Sequence, residues 1–85
     1  MHYHIRIKPR VEKELANLPR KEYHRMLAAF MALARDPFVG KKLEGKYAGF
    51  WSYRVWPYRI IYTIIKSQIT VIVVRIGHRQ GVYGG

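Results

Sequence analysis

Five residues in the second half of this chain carry groups suited to acid-base or electrostatic work: Arg54, Arg59, His78, Arg79 and Tyr83. No carboxylate accompanies them. All five acids, Glu12, Glu14, Glu22, Asp36 and Glu44, lie in the first 44 residues beside ten of the 16 basic residues, whereas residues 45–85 hold six bases and no acid. Two-metal phosphodiester chemistry needs clustered carboxylates to hold its ions, so this half cannot build such a centre. The four histidines do not replace it. His2 and His4 alternate onto one face of a first strand, as surface or edge residues, and no pair stands at the helical spacing of HExxH. There is no cysteine, hence no thiolate site and no disulfide. Neither a metal nor a cofactor is expected.

An acid-free, arginine-bearing half with a net charge of +11 suits a polyanion, and nucleic acid binds such surfaces by phosphate neutralisation with counterion release. The plainer alternative is a solvated basic surface. An anionic membrane would call for a strongly cationic amphipathic helix, which is not visible. A metal-free route to cutting RNA is available, in which the ribose 2′-hydroxyl attacks its own 3′-phosphate. The protein must then align the RNA, stabilise charge on the phosphorane oxygens and protonate the departing 5′-oxygen. Arginines fit the second task. Their pKa exceeds about 12, so His78 and Tyr83 are the first candidates for the proton.

The elements that would hold these groups are legible in the hydrophobic period. HYHIRIK alternates at Tyr3, Ile5 and Ile7 as a half-buried strand, and Pro9 ends it. VEKELANL places Val11, Leu15 and Leu18 on one helical face before Pro19, and a second helix over 20–35 recurs at Tyr23, Met26, Leu27, Phe30, Leu33 and Ala34. PFVGKKLEGKYAGF reads as a loop with one helical turn. Three β-rich runs follow, FWSYRVW, YRIIYTII and ITVIVVRI, with gaps short enough for two hairpins. The prediction is a single α+β domain over 1–85: an N-terminal strand, a two-helix hairpin, then a three-stranded antiparallel meander, βααβββ.

A two-residue Trp56-Pro57 turn would set Val55 against Tyr58 and Arg54 directly against Arg59. Like charges at opposed positions destabilise a sheet, so a bound phosphate is one reason for the pair. Otherwise the two guanidiniums splay into water or a longer turn breaks the register. Proline there also admits a cis Trp-Pro bond. YRIIYTII is apolar on both faces apart from Arg59 and Thr63, so it should be central and hold Arg59 rigidly. The last run is expected to end at Gly77, where the chain turns and brings His78 and Arg79 beside the neighbouring strand, with Tyr83 folding back over the same surface.

YRVWPYRIIYTI and VVRIGHRQGVY, placed after KKLEGKYAGFW and two N-terminal helices, resemble the RelE group of the RelE/ParE toxin superfamily of bacterial and archaeal toxin-antitoxin systems. The likeness covers the whole chain and is specific at those two blocks. It implies the RelE-like microbial ribonuclease-type fold and an mRNA interferase, which cuts messages in the ribosomal A site to leave a 2′,3′-cyclic phosphate and a 5′-hydroxyl. It implies transition-state stabilisation at Arg59, leaving-group protonation or charge stabilisation at Arg79, and nucleotide stacking at Tyr83. Arg54 matches a basic position of the preceding strand, and His78 a position that is often basic. Lys41, Lys42, Lys46 and Arg75 are the accompanying RNA-binding candidates.

Two departures are visible. Ser52 stands where some members carry a further basic residue, whose charge Lys46 would supply from the loop, and WP replaces a GD-type turn. The partner implied is an acidic, RelB-like cognate antitoxin, matched to the +11 charge by complementary fields. The N-terminal residues lack a signal-peptide h-region and no apolar run reaches a membrane span, so a cytoplasmic protein is expected. The competing reading is a ParE-like toxin that poisons DNA gyrase and has no ribonuclease site.

Overall fold

The computed structural model describes residues 2–78. The chain runs β1 (His4–Ile7), α1 (Pro9–Ala16), α2 (Arg20–Arg35), β2 (Lys41–Lys42), β3 (Trp51–Val55), β4 (Tyr58–Ile65) and β5 (Thr70–His78), with single 3-10 turns at Pro37–Val39, Gly45–Tyr47 and Lys66–Gln68. The sheet order is β1-β5-β4-β3-β2, which puts β4 in the middle as its two-sided apolar pattern requires. β3, β4 and β5 form the expected antiparallel meander. β1 joins parallel to β5, so the sheet is mixed, and β2 adds a two-residue edge where the sequence pattern suggests only a loop.

Both helices pack on one face. Val11 and Leu15 of α1 and Met26, Ala29, Phe30 and Leu33 of α2 recur at three- and four-residue spacing and are buried against Ile60, Tyr62, Val71, Val73 and Ile76 of the sheet. Pro9 starts α1 where a missing N–H costs nothing. Asp36 caps α2, giving its N–H to the Ala32 carbonyl while its side chain accepts from the Phe38 N–H at 3.1 Å. That turns the chain at once into Pro37–Val39. Among the described residues no helix is long and apolar enough to cross a membrane.

The Pro37–Gly40 turn is locked to the central strand. The fully buried Tyr62 hydroxyl donates to the Pro37 carbonyl at 2.7 Å and takes the Gly40 N–H. Burial, above all, pushes the Tyr62 pKa up to about 12. Gly40 fits because it has no side chain: a Cβ there would lie 2.8 Å from the Ser52 carbonyl oxygen and would meet the Tyr62 hydroxyl. Its φ of −76° is open to any residue, so space and not backbone freedom demands the glycine. This close approach delivers Lys41 and Lys42 into register against Ser52 and Trp51.

Candidate functional site

The Trp56-Pro57 peptide is cis and the turn holds two residues, so Val55 pairs with Tyr58 and Arg54 lies directly opposite Arg59. The next position along β5 in that row is Gly77, which adds no side chain to it. Tyr53, Val55, Tyr58 and Ile60 pack toward the helices, and therefore Arg54 and Arg59 point to the helix-free face. One row further the register reads Lys41, Ser52, Ile61, Arg75 across β2, β3, β4 and β5. Lys41, Arg54, Arg59 and Arg75 thus share one face, about 14 Å wide at three strand spacings.

Arg75 reaches this face through a β-bulge. Val71 and Val73 are buried against the helices, so simple alternation would send Arg75 into the core as well. Between Ile61 and Tyr62 the register shifts, Val74 becomes the extra residue, and from there on Ile76 faces the core and Arg75 faces away. The same shift moves His78. Unbulged alternation would have set it among the arginines; instead β5 continues through Gly77 without turning, and His78 pairs with Tyr58 on the helix side, ring centroids 6.0 Å apart at 75°. The sequence expectation that the strand ends at Gly77 is corrected by one residue, while His78 does stand beside the base of the neighbouring strand, against its first residue Tyr58. Arg79 and Tyr83 lie outside the described residues.

The loop lysines separate in the same way. Lys41 stands beside Ser52 on the arginine face, whereas Lys42 shares the side of Trp51, its ammonium 5.8 Å from the ring centroid. Lys46 lies 5.4 Å over the Tyr47 ring. Lys41, not Lys46, is therefore the cation next to Ser52.

None of the four cations is ion-paired among the described residues. The ion pair among the described residues is Arg25 with Glu22 at 3.0 Å, on α2 and away from this face, and Asp36 is occupied with the Phe38 N–H. Within this face Arg59 Nη1 donates to the Ser52 hydroxyl at 3.3 Å. Sequence reasoning missed this contact, although the signal was there: once Arg54 is set against Arg59, Ser52 is the diagonal neighbour of Arg59. No group of three His, Cys, Asp or Glu stands close enough to hold a metal among the described residues. What the arrangement can do chemically is bind a phosphate from several sides and stabilise charge that grows on it.

A sequence profile of the family described as "ParE toxin of type II toxin-antitoxin system, parDE" matches residues 5–83. The chain is 36% identical to Toxin RelG of Mycobacterium tuberculosis over an alignment of 89 residues that covers 98% of each. Its fold is similar to the toxin-antitoxin complex RelBE2 of the same organism, with a TM-score of 0.86 and 33% identity over 93% of this chain and 100% of that one. It is also similar to the archaeal RelE-RelB complex of Pyrococcus horikoshii, with a TM-score of 0.82 and 27% identity over 96% and 100% of the two chains.

Proposed function

The chain belongs to the ParE toxin family of type II toxin-antitoxin systems, within the RelE/ParE superfamily, and on that premise we propose that it is a metal-independent endoribonuclease acting on messenger RNA in the ribosomal A site. The observation that carries this reading is the face that sets Arg54 directly against Arg59 and flanks them with Lys41 and Arg75, none of them ion-paired to a carboxylate among the described residues. The 2′-hydroxyl attacks the adjacent phosphorus, the P–O5′ bond breaks, and the products are a 2′,3′-cyclic phosphate and a 5′-hydroxyl. Arg59, on the central strand, meets the phosphorane oxygens, with Arg54 and Arg75 on either side. Lys41 holds the RNA backbone beside Ser52. Arg79 and Tyr83 keep the roles that resemblance gives them, at the leaving oxygen and on the nucleotide base.

His78 packs on Tyr58 on the helix side of the sheet, away from Arg59, so this reading assigns it no proton transfer. A site this poor in conventional proton carriers depends on close RNA alignment, which the ribosome supplies. The neutralising partner is an acidic, RelB-like antitoxin, in keeping with the complexes in which the relatives were solved. The protein works in the cytoplasm, where messages and ribosomes are.

The family description also names ParE, which favours gyrase inhibition as the second reading. Primer-extension mapping of a message in a reconstituted translation reaction separates the two. Cuts within the A-site codon that vanish with Arg59→Ala or Arg79→Ala, and survive His78→Ala, are the expected outcome. An intact message together with blocked supercoiling in a gyrase assay would replace the ribonuclease reading with the second one.

A further inference from the structure

Ser52 is held from both sides. β2 pairs with it through Lys41 and β4 through Ile61, the residue is only 4% exposed, and Gly40 packs against its carbonyl. Its hydroxyl is therefore a fixed point among the cations of that face. A guanidinium carries donors only, so in the 3.3 Å contact with Arg59 Nη1 the serine oxygen is the acceptor.

Two consequences follow for the charge on Arg59. Repulsion from Arg54, directly opposite, drives the guanidinium along the strand, and Ser52 receives it on the side away from Arg54. The acceptor is also neutral. A carboxylate at this position would hold the guanidinium more tightly and cancel its charge, whereas a hydroxyl orients it and leaves the cation and its remaining N–H donors for an anionic ligand.

We propose that Ser52 is a positioning residue for RNA cleavage, holding Arg59 in the orientation that meets the phosphorane oxygens without neutralising it. The proposal rests on the ribonuclease reading of the same face.

The test compares kcat and KM for A-site cleavage by the wild type, Ser52→Ala, Ser52→Thr, Ser52→Asp, Arg59→Ala and the double variant Ser52→Ala/Arg59→Ala. Melting temperatures and the ¹⁵N signal of the Arg59 side chain are recorded alongside. Ser52→Ala should lower kcat about tenfold, the rate equivalent of one charge-assisted hydrogen bond, with KM within about twofold of wild type. Ser52→Thr keeps the hydroxyl on a residue suited to a strand and should restore the rate. Ser52→Asp should raise KM, because its carboxylate competes with the phosphate. In the Arg59→Ala background Ser52→Ala should cost nothing more, since the two act as a unit.

A loss of equal size in that background overturns the proposal. So does a Ser52→Thr variant that melts like the wild type and stays as slow as Ser52→Ala. A wild type that cleaves nothing overturns the ribonuclease reading itself. The failure particular to Ser52 is a cleaving wild type whose rate and Arg59 signal are both indifferent to Ser52→Ala.

Discussion

Replacing Arg54 by threonine should make the protein more stable and, on the ribonuclease reading, slower to cleave RNA. Residues directly opposed on antiparallel strands have Cα atoms about 4.5–5.5 Å apart, and Arg59 leans one row along to Ser52, so the two guanidinium centres stand roughly 8 Å apart. At that distance two like charges repel by about 0.5 kcal/mol in water and about 2 kcal/mol at an effective dielectric of 20. Arg54 is exposed, which places the cost near the lower figure, about 0.5–1 kcal/mol. Threonine removes the charge and suits a strand. For a domain of this size, such a gain raises the melting temperature by about 2–8 °C. Thermal melts followed by circular dichroism at low salt and at about 1 M salt check the cause, because a Debye length near 3 Å at the higher concentration should erase the difference. Arg54→Lys keeps the charge and should show no gain. An Arg54→Thr variant no more stable than wild type at low salt, or one whose advantage persists at about 1 M, would refute the claim that the face stores repulsion for a phosphate to relieve.

Two further expectations concern how the loop that carries Lys41 is held. Tyr62→Phe leaves the Pro37 carbonyl and the Gly40 N–H without their buried partner and should cost about 1–3 kcal/mol in urea unfolding at neutral pH. Because the folded-state pKa of Tyr62 is raised from 10.0 to about 12, its contribution is fully present below pH 10 and is lost as pH rises toward 12. The wild type should therefore lose on the order of 2–3 kcal/mol across that window relative to Tyr62→Phe, and parallel pH profiles would contradict the assignment. Gly40→Ala should destabilise by about 1–3 kcal/mol, since the new methyl meets the Ser52 carbonyl and the Tyr62 hydroxyl and neither can retreat; an unchanged urea midpoint would show that β2 can move.

Most of the architecture is legible in the sequence because its signals are local. The Val11/Leu15 and Met26/Phe30/Leu33 spacings mark the helices, and a two-residue Trp56-Pro57 gap sets Arg54 against Arg59 with no knowledge of the rest of the fold. What escapes is set by contacts distant in sequence. The pairing of β1 with β5 joins segments from opposite ends of the described chain, and nothing in HYHIRIK announces a parallel partner. Lys41 and Lys42 extend the sheet only because Tyr62, far along the chain, fixes Pro37 and Gly40. The bulge at Val74 inverts the facing of everything after it, which is why simple alternation groups His78 with the arginines and sends Arg75 into the core. Arg59 is identifiable from its place in a central strand; its acceptor, Ser52, requires the register to be followed one step further.

The parallel pairing of β1 with β5 also governs how the molecule comes together. β1 has no neighbour in the sheet except β5, so a chain that has formed its helices and the β3–β4 hairpin still has an unpaired first strand and lacks Arg75. Contacts this remote in sequence carry a loop-closure cost before they return any stability. The step that docks β5 between β1 and β4 completes the hydrophobic core and the cationic face together. A chain that stops short of that step lacks the finished core and, with Arg75 unplaced, the full cationic face.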